Sequence, residues 1–208
     1  MLEFITQLDS GVLDFIQTHL RTPFWDAPMR VVSFLGDAGL VWVVLALLLL
    51  IIPATRKQGK SVAVALSLSL LVCNIILKPW IGRERPFDEG VLLLITMPKD
   101  FSFPSGHTQA SFAAATALLA SPAKGSGIRV STQRVMGTCA LILAAAIGFS
   151  RLYLHVHYPT DVLAGLVIGV LLGFLAAWCV RKFDTTKKKS KIRKKTSKPT
   201  SKGVDRGG

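Results

Sequence analysis

Cysteine and acidic residues are scarce in this chain, which has 3 cysteines among 208 residues and 12 Asp and Glu against 25 Lys and Arg. Cys73, Cys139 and Cys179 lie far apart inside apolar runs, so the sequence predicts neither a disulfide framework nor a cysteine metal site. The first residues include no basic stretch and no small-residue cleavage site, and we therefore expect no cleavable signal peptide. The polar stretches hold no cluster of carboxylates, so we expect no metal ion and no other cofactor.

Apolar residues, by contrast, make up 50% of the chain, and its mean hydropathy is +0.48. They lie in long blocks rather than in an amphipathic pattern, which predicts an integral membrane protein of the all-α class, a polytopic helix bundle. We expect an irregularity at residues 36–39, and close helix packing at Gly165, Gly169 and Gly173, which are spaced four apart. The five expected transmembrane helices are residues 27–53, 61–77, 107–120, 135–149 and 159–180.

The pattern divides the chain into three parts. Residues 1–24 predict an amphipathic helix at the membrane interface, because they are too polar to span; a sixth span there is the less favoured alternative. Residues 25–183 form the transmembrane domain. Residues 184–208 are rich in Lys, Ser and Thr without apolar periodicity, so we expect a disordered tail.

Basic residues are concentrated in the tail: the net charge is +13, and from Arg181 onward there are 12 Lys and Arg against two Asp. The tail and the loops at 56–60 and 121–134 fall on one side of the predicted topology, which the positive-inside rule makes cytoplasmic. We expect the tail to attract anionic lipid headgroups. No aromatic residues interleave in it, and we expect no nucleic-acid partner. Segments 78–106 and 150–159 then share the outer face of the plasma membrane.

Three polar stretches meet on that outer face, and together they suit the binding of a phosphate. Lys78, Arg85 and Arg151 supply cations, and the planar fork of Arg matches phosphate oxygens in pairs. We interpret Arg83 as an anchor for lipid headgroups, and the same interpretation stays open for Lys78. Converging cations need an anion, and the carboxylates nearby in sequence are Glu84, Asp88 and Glu89.

The segment Pro104-Ser105-Gly106-His107 predicts the start of a helix. Ser105 is a common N-cap residue, and capping alone is the simpler alternative. A helix N-terminus also offers free N–H groups and the positive end of the helix dipole, so the Ser105 hydroxyl and the Gly106 amide could bind phosphoryl oxygens. His107 beside them could pass a proton to a leaving oxygen.

His157 and Asp161 lie four residues apart, just before and inside the first turn of a helix that Pro159 begins. A carboxylate in reach of one ring nitrogen fixes the histidine tautomer and leaves the other nitrogen free as a nucleophile. His155 points the other way if this segment is extended. The alternative is that Asp161 only caps the helix and His157 bonds a neighbour.

The order of these motifs resembles the three-part pattern of the type 2 phosphatidic acid phosphatase (PAP2) superfamily, over roughly residues 25–180. The motifs are Lys78-x6-Arg85-Pro86, Pro104-Ser105-Gly106-His107 and Ser150-Arg151-x5-His157-x3-Asp161. The resemblance implies a metal-independent phosphatase in which His157 attacks phosphorus to give a phosphohistidine and Asp161 supports it. It also implies that His107 protonates the leaving group and then activates water. The residues that would hold the phosphoryl oxygens are Lys78, Arg85, Ser105, Gly106 and Arg151.

The resemblance also implies a phosphorylated membrane lipid as the substrate. Members with an outward-facing site are similar to undecaprenyl pyrophosphate phosphatases, which recycle the cell-wall lipid carrier. Others cleave phosphatidylglycerol phosphate, phosphatidate or lipid A phosphate, or transfer the phosphoryl group to another lipid. The spans neither select among these substrates nor indicate an oligomeric state. Vanadate-dependent haloperoxidases share the phosphate motif, but the five apolar spans and the short chain argue against them. A non-catalytic membrane scaffold should lack His107, His157 or Asp161.

Overall fold

The computed structural model describes residues 2–86, 94–96, 98–121 and 127–196, with side chains described between residues 5 and 185. Every regular element in this part of the chain is helical, which confirms the predicted all-α fold class. The helices are α1 (Leu2–Phe15), α2 (Pro23–Leu35), α3 (Leu40–Ile51), α4 (Arg56–Leu70), α5 (Lys78–Ile81), α6 (Gly106–Ala120), α7 (Val130–Tyr153) and α8 (Pro159–Thr196). Wider π-helical turns extend α1 over Ile16–Leu20 and join α4 to α5 over Leu71–Leu77.

Among the described residues, three helical segments are long and apolar enough to cross a membrane: Pro53–Ile81, Val130–Tyr153 and Pro159–Thr185. The pair Pro23–Leu35 and Asp37–Ile51, which is bent by 48°, would make a fourth. Helix α6 has 15 residues, which rise about 22 Å against a hydrocarbon core of about 30 Å. The predicted count of five spans is therefore not confirmed, because the third predicted span is a helix shorter than the membrane core.

The break between α2 and α3 lies where the sequence predicts an irregularity. Ala38 and Gly39 have φ values of 50° and 68°, in the left-handed region, which ends one helix and lets the next start in a new direction. Gly36 allows a close approach, since a Cβ there would lie 2.8 Å from Cδ2 of His107. The bend therefore places Asp37 beside the start of α6.

Helix α6 lies in the centre of the bundle, where it packs against α3, α4, α7 and α8. Its many small residues are buried, and α8 turns its glycines toward them. A Cβ on Gly169 would lie 2.5 Å from the carbonyl oxygen of Gln109, and one on Gly173 would lie 2.6 Å from Cβ of Thr116. The predicted packing face of the last span is confirmed.

The outer surface of the bundle carries large apolar side chains. Ile51, Ile142 and Leu171 are 71%, 66% and 63% exposed. Apolar side chains in such numbers suit contact with lipid hydrocarbon rather than with water. This surface agrees with the prediction of a multi-pass membrane protein.

One end of the bundle collects the start of α4, the end of α6 with the loop after it, and the last part of the membrane-crossing segment of α8. Residues 56–60, predicted as a loop, form the first turn of α4 instead. A salt bridge of 3.8 Å, a side-chain hydrogen bond and a backbone hydrogen bond join these parts of the chain. The pairs are Lys60 with Asp184, Arg181 with Ala120, and Gly127 with Ala54. The basic segments thus share one end, as the predicted topology requires. That this end is cytoplasmic stays a prediction.

The two ends of the chain are helical where the structure describes them. α1 and its π-helical extension cover the predicted N-terminal helix, and its position at the membrane interface stays a prediction. Helix α8 continues to Thr196, whereas the sequence predicts disorder from residue 184 onward. The rest of the predicted tail, residues 197–208, lies outside the described residues.

Candidate active site

At the end of the bundle away from the basic segments, a cavity of about 530 Å³ opens between α2, α5, α6 and the loop that joins α7 to α8. Ser105 and Asp161 are fully buried next to it. The other six residues predicted for the site line it: Lys78, Arg85, Gly106, His107, Arg151 and His157. The structure thus brings the three motifs together, while the roles assigned to the residues stay predictions.

His157 is buried and held from both ring nitrogens. Nη1 of Arg85 lies 3.0 Å from Nε2, and Oδ2 of Asp161 lies 3.5 Å from Nδ1. Because a guanidinium can only donate, Nε2 carries the lone pair and Nδ1 carries the proton. Burial lowers the pKa of His157 to about 3; Asp161 opposes this effect, and the charges of Arg85 and Arg151 add to it. The ring is therefore neutral at physiological pH, with a nucleophilic nitrogen beside a cation.

The carboxylate of Asp161 is fully buried and accepts hydrogen bonds at both oxygens. Oδ1 accepts one from Nη1 of Arg83 at 2.7 Å. Oδ2 accepts one from the backbone N–H of Tyr158 at 2.9 Å and a short one from the hydroxyl of Ser102. Asp161 therefore caps its own helix and also faces His157, and its role in the reaction stays a prediction.

Lys78 and Arg85 converge on a carboxylate that the sequence analysis did not select. Asp100 forms a salt bridge with Lys78 and a second one, of 2.7 Å, with Nη2 of Arg85. Although burial raises the pKa of Asp100, hydrogen bonds and charge from Lys78 and Arg85 lower it to about 2. Of the three carboxylates considered from the sequence, Glu84 is exposed, while residues 88 and 89 lie outside the described part.

Arg151 lies deep in the same cavity. Its Nη1 donates a hydrogen bond to the hydroxyl of Ser33, and the side chain as a whole is buried. Its Nε has no hydrogen-bond partner among the described residues. A buried guanidinium N–H without an acceptor is costly, and an anion in the cavity would satisfy it.

The start of α6 supplies the remaining predicted residues. Nε2 of His107 lies 2.6 Å from Oδ1 of Asp37, on the bend between α2 and α3. Gly106 lines the cavity, and a Cβ there would lie 3.9 Å from Nζ of Lys78. Ser105 faces away from the cavity: its hydroxyl accepts a hydrogen bond of 2.9 Å from Thr108, and its N–H donates to the carbonyl of Asp161.

A second cavity, of about 470 Å³, adjoins the first and shares Lys78, Asp100, Gly106 and His107 with it. It runs between α3, α4 and α6. The side chains that line it there include Val43, Leu66 and Leu70. The site therefore has a polar side, where the cations lie, and a partly apolar side within the bundle.

Sequence reasoning missed three contacts of this site and assigned a fourth residue differently. No feature of the sequence singled out Asp37, Asp100 or Ser102, because each of them reaches the site only when a loop or bend folds. Arg83 binds Asp161, whereas the sequence analysis interpreted it as a lipid anchor. Among the described residues, no group of three or more His, Cys, Asp or Glu side chains is placed to hold a metal ion.

Known proteins resemble this chain over much of its length. The model of the PAP2 superfamily matches residues 58–184. The chain is 34% identical over 139 residues to the undecaprenyl-diphosphatase of Sulfolobus acidocaldarius, a match that covers 65% of this chain and 62% of that protein. It is 30% identical to the lipid A 4'-phosphatase of Bacteroides thetaiotaomicron, over 84% of this chain and 78% of that protein. The crystal structure of a PAP2-type phosphatidylglycerolphosphate phosphatase from Bacillus subtilis superposes with a TM-score of 0.70 at 26% identity, covering 88% of this chain and 87% of that one.

Proposed function

Because this chain belongs to the PAP2 superfamily, we propose that it is an integral membrane phosphatase that hydrolyses a phosphorylated membrane lipid without a metal ion. The observation that carries the proposal is the position of the His157 imidazole. It lies on the wall of a cavity that also holds Lys78, Arg85, Arg151 and the start of α6. A nucleophile beside three cations and a helix N-terminus suits attack on a phosphate.

The reaction has two steps. Nε2 of His157 attacks the terminal phosphorus, so that a P–N bond forms as the bond from that phosphorus to the leaving oxygen breaks, and His107 donates a proton to this oxygen. In a pyrophosphate the leaving oxygen is the bridging one, and the lipid phosphate departs with it. Water that gives a proton to His107 then attacks the phosphohistidine, and the P–N bond breaks to release inorganic phosphate. Asp161 stabilises the imidazolium that develops on His157 in both steps.

Four groups would hold the phosphoryl oxygens: the side chains of Lys78, Arg85 and Arg151 and the Gly106 N–H. The unpartnered Nε of Arg151 supports this assignment. The predicted role of the Ser105 hydroxyl has less support, because Ser105 is not among the residues that line the cavity. Asp100 forms salt bridges with both Lys78 and Arg85, and a phosphate would compete with it.

As the substrate we propose undecaprenyl pyrophosphate, which would be converted to undecaprenyl phosphate. The relative named undecaprenyl-diphosphatase supports this choice, and the partly apolar second cavity suits a lipid chain. The alternatives that relatives named for such lipids favour are phosphatidylglycerol phosphate and lipid A phosphate. Phosphatidate and phosphoryl transfer to a second lipid are further alternatives. The enzyme would work in the plasma membrane with its site on the outer face and its basic tail against anionic lipids inside.

The test is phosphate release in detergent with EDTA, using undecaprenyl pyrophosphate, phosphatidylglycerol phosphate and phosphatidate. His157→Ala removes the nucleophile, and His19→Ala is a matched control at an exposed histidine. We expect activity in EDTA that His157→Ala abolishes and His19→Ala retains, with undecaprenyl pyrophosphate the best substrate. Activity that requires a metal, or that survives in His157→Ala, would overturn the mechanism. A different order of substrates would overturn only the choice of lipid.

A further inference from the structure

Helix α1 carries a buried carboxylate, although the sequence predicts a helix lying on the membrane interface. Asp9 is 2% exposed. Its Oδ1 accepts a hydrogen bond of 3.0 Å from the backbone N–H of Thr160, and its Oδ2 accepts one of 2.5 Å from the hydroxyl of the same residue. Nη2 of Arg83 donates to Oδ2 at 2.7 Å. The N-terminal helix is thus bonded directly to the first turn of α8.

Arg83 joins this carboxylate to the one beside the proposed nucleophile. While Nη2 binds Asp9, Nη1 donates hydrogen bonds of 2.7 Å each to Oδ1 of Asp161 and to the hydroxyl of Thr160. The guanidinium carbon also lies 3.9 Å from the centre of the Tyr158 ring. Burial opposes the charge on Arg83, but the bonds to Asp9 and Asp161 outweigh it and raise the pKa of Arg83. Arg83 is a fixed cation between two buried carboxylates.

These contacts determine how Asp161 can be oriented. Oδ2 is directed to Ser102, to the Tyr158 N–H and toward Nδ1 of His157, and Oδ1 depends on Arg83. Without Arg83, Oδ1 would lie buried without a cation, which is costly, so the carboxylate would rotate or bind a proton. Either change would take Oδ2 away from its present geometry.

We propose that Arg83 and Asp9 are positioning residues, through which helix α1 holds the carboxylate of Asp161 in the orientation that supports His157. This inference rests on the proposed function, because it takes His157 to be the nucleophile. Neither residue lines the cavity, so they act on the rate of the chemical step and not on the binding of phosphate. The N-terminal helix is then part of the catalytic apparatus.

The experiment measures kcat and KM of the full chain in detergent for Arg83→Ala, Arg83→Lys and Asp9→Asn. Asp14→Asn is the matched control, since it makes the same change on an exposed position of the same helix. We expect kcat to fall about 100-fold in Arg83→Ala with KM changed less than threefold. Arg83→Lys, which keeps the charge but has no fork to bind two carboxylates at once, should lose about tenfold in kcat. The kcat of Asp9→Asn should fall about tenfold, and that of Asp14→Asn should match the wild type.

Added guanidinium ion provides a measurement that a merely structural role would not affect. Guanidinium should raise the kcat of Arg83→Ala at least tenfold, because it can fill the space between the two carboxylates. It should not raise the kcat of His157→Ala. Thermal unfolding of each variant establishes that the protein is folded. If Arg83→Ala does not fold, the kcat of Arg83→Lys tests the inference in its place. Equal losses in Asp9→Asn and Asp14→Asn, or a loss in Arg83→Lys that lies in KM alone, would overturn the inference. If His157→Ala remains active, the proposed function itself fails, which is a distinct result.

Discussion

The contact between α6 and α8 leads to a quantitative prediction for Gly169→Ala. A Cβ at this position would lie 2.5 Å from the carbonyl oxygen of Gln109, whereas ordinary contact begins at 3.4 Å. The difference of about 0.9 Å must be met by separating the two helices, since the obstacle is backbone. Separation would also strain the hydrogen bond of 3.2 Å from the Gln109 amide to the carbonyl of Ser69 on α4.

The cost can be estimated from these distances. Inserting a methyl group into a close-packed interface destabilises a protein by about 1–3 kcal/mol, and alanine recovers about 0.5–1 kcal/mol through its better helix propensity. The central values of the two ranges leave a fall of about 1 kcal/mol in the free energy of unfolding, or about 2–4 °C in the Tm for a chain of this size. Because α6 begins at the site, a shift of about 1 Å should also lower kcat by at least about tenfold.

The assay is thermal unfolding of the purified protein in one detergent, combined with phosphate release. Gly11→Ala is the control, since nothing lies within 4 Å of a Cβ added there, in helix α1. That variant should melt at or slightly above the wild-type temperature and keep its activity. If Gly169→Ala melted like the wild type and kept full kcat, the described contact between α6 and α8 would be wrong.

Three further predictions follow from the charges at the site and the tail. Asp100→Asn should lower the Ki of inorganic phosphate about tenfold, since Lys78 and Arg85 lose a competing carboxylate; an unchanged Ki would contradict this, and Glu84→Gln is the exposed control. His157, with its pKa lowered from 6.5 to about 3, takes up a proton below pH 6.5 only when the chain is unfolded. The wild type should therefore lose about 2 kcal/mol more stability between pH 7 and pH 5 than His157→Gln, and equal losses in pH-dependent melting would refute this. Deleting residues 184–208 should leave turnover in detergent nearly intact, and a large loss would show that the tail does more than attract lipid.

The three motifs could be predicted to meet because their residue types and the topology both point to one end of the bundle. Ionisable side chains stand out beside apolar runs, because a membrane-spanning helix does not need them. The residues of this kind are Lys78, Arg85, His107 and His157. Alternation of spans then places their segments on one membrane face. Local sequence and topology were sufficient for this part of the site.

The supporting contacts could not be predicted, since they depend on how loops and helix ends pack. Asp100 and Ser102 lie in an irregular segment, where no periodicity indicates which side chain points inward. Asp9 falls among polar residues of an amphipathic helix, and only packing against α8 distinguishes it from Asp14. Arg83 looks the same as any juxtamembrane cation until the fold places two carboxylates beside it. The number of spans stays unconfirmed for a similar reason, because composition reports how apolar α6 is and not what surrounds it.

The shortness of α6 has a consequence for how a substrate reaches the site. If the C-terminal end of this helix lies level with one surface of the hydrocarbon core, His107 lies about 8 Å below the other surface. A lipid phosphate then needs to sink only slightly, while its chain stays among neighbouring lipids. Each methylene group spared from water saves about 0.8 kcal/mol, so a long lipid chain would never leave the bilayer during turnover. The encounter becomes a search in two dimensions, and its rate depends on the density of substrate in the membrane plane rather than on any concentration in solution.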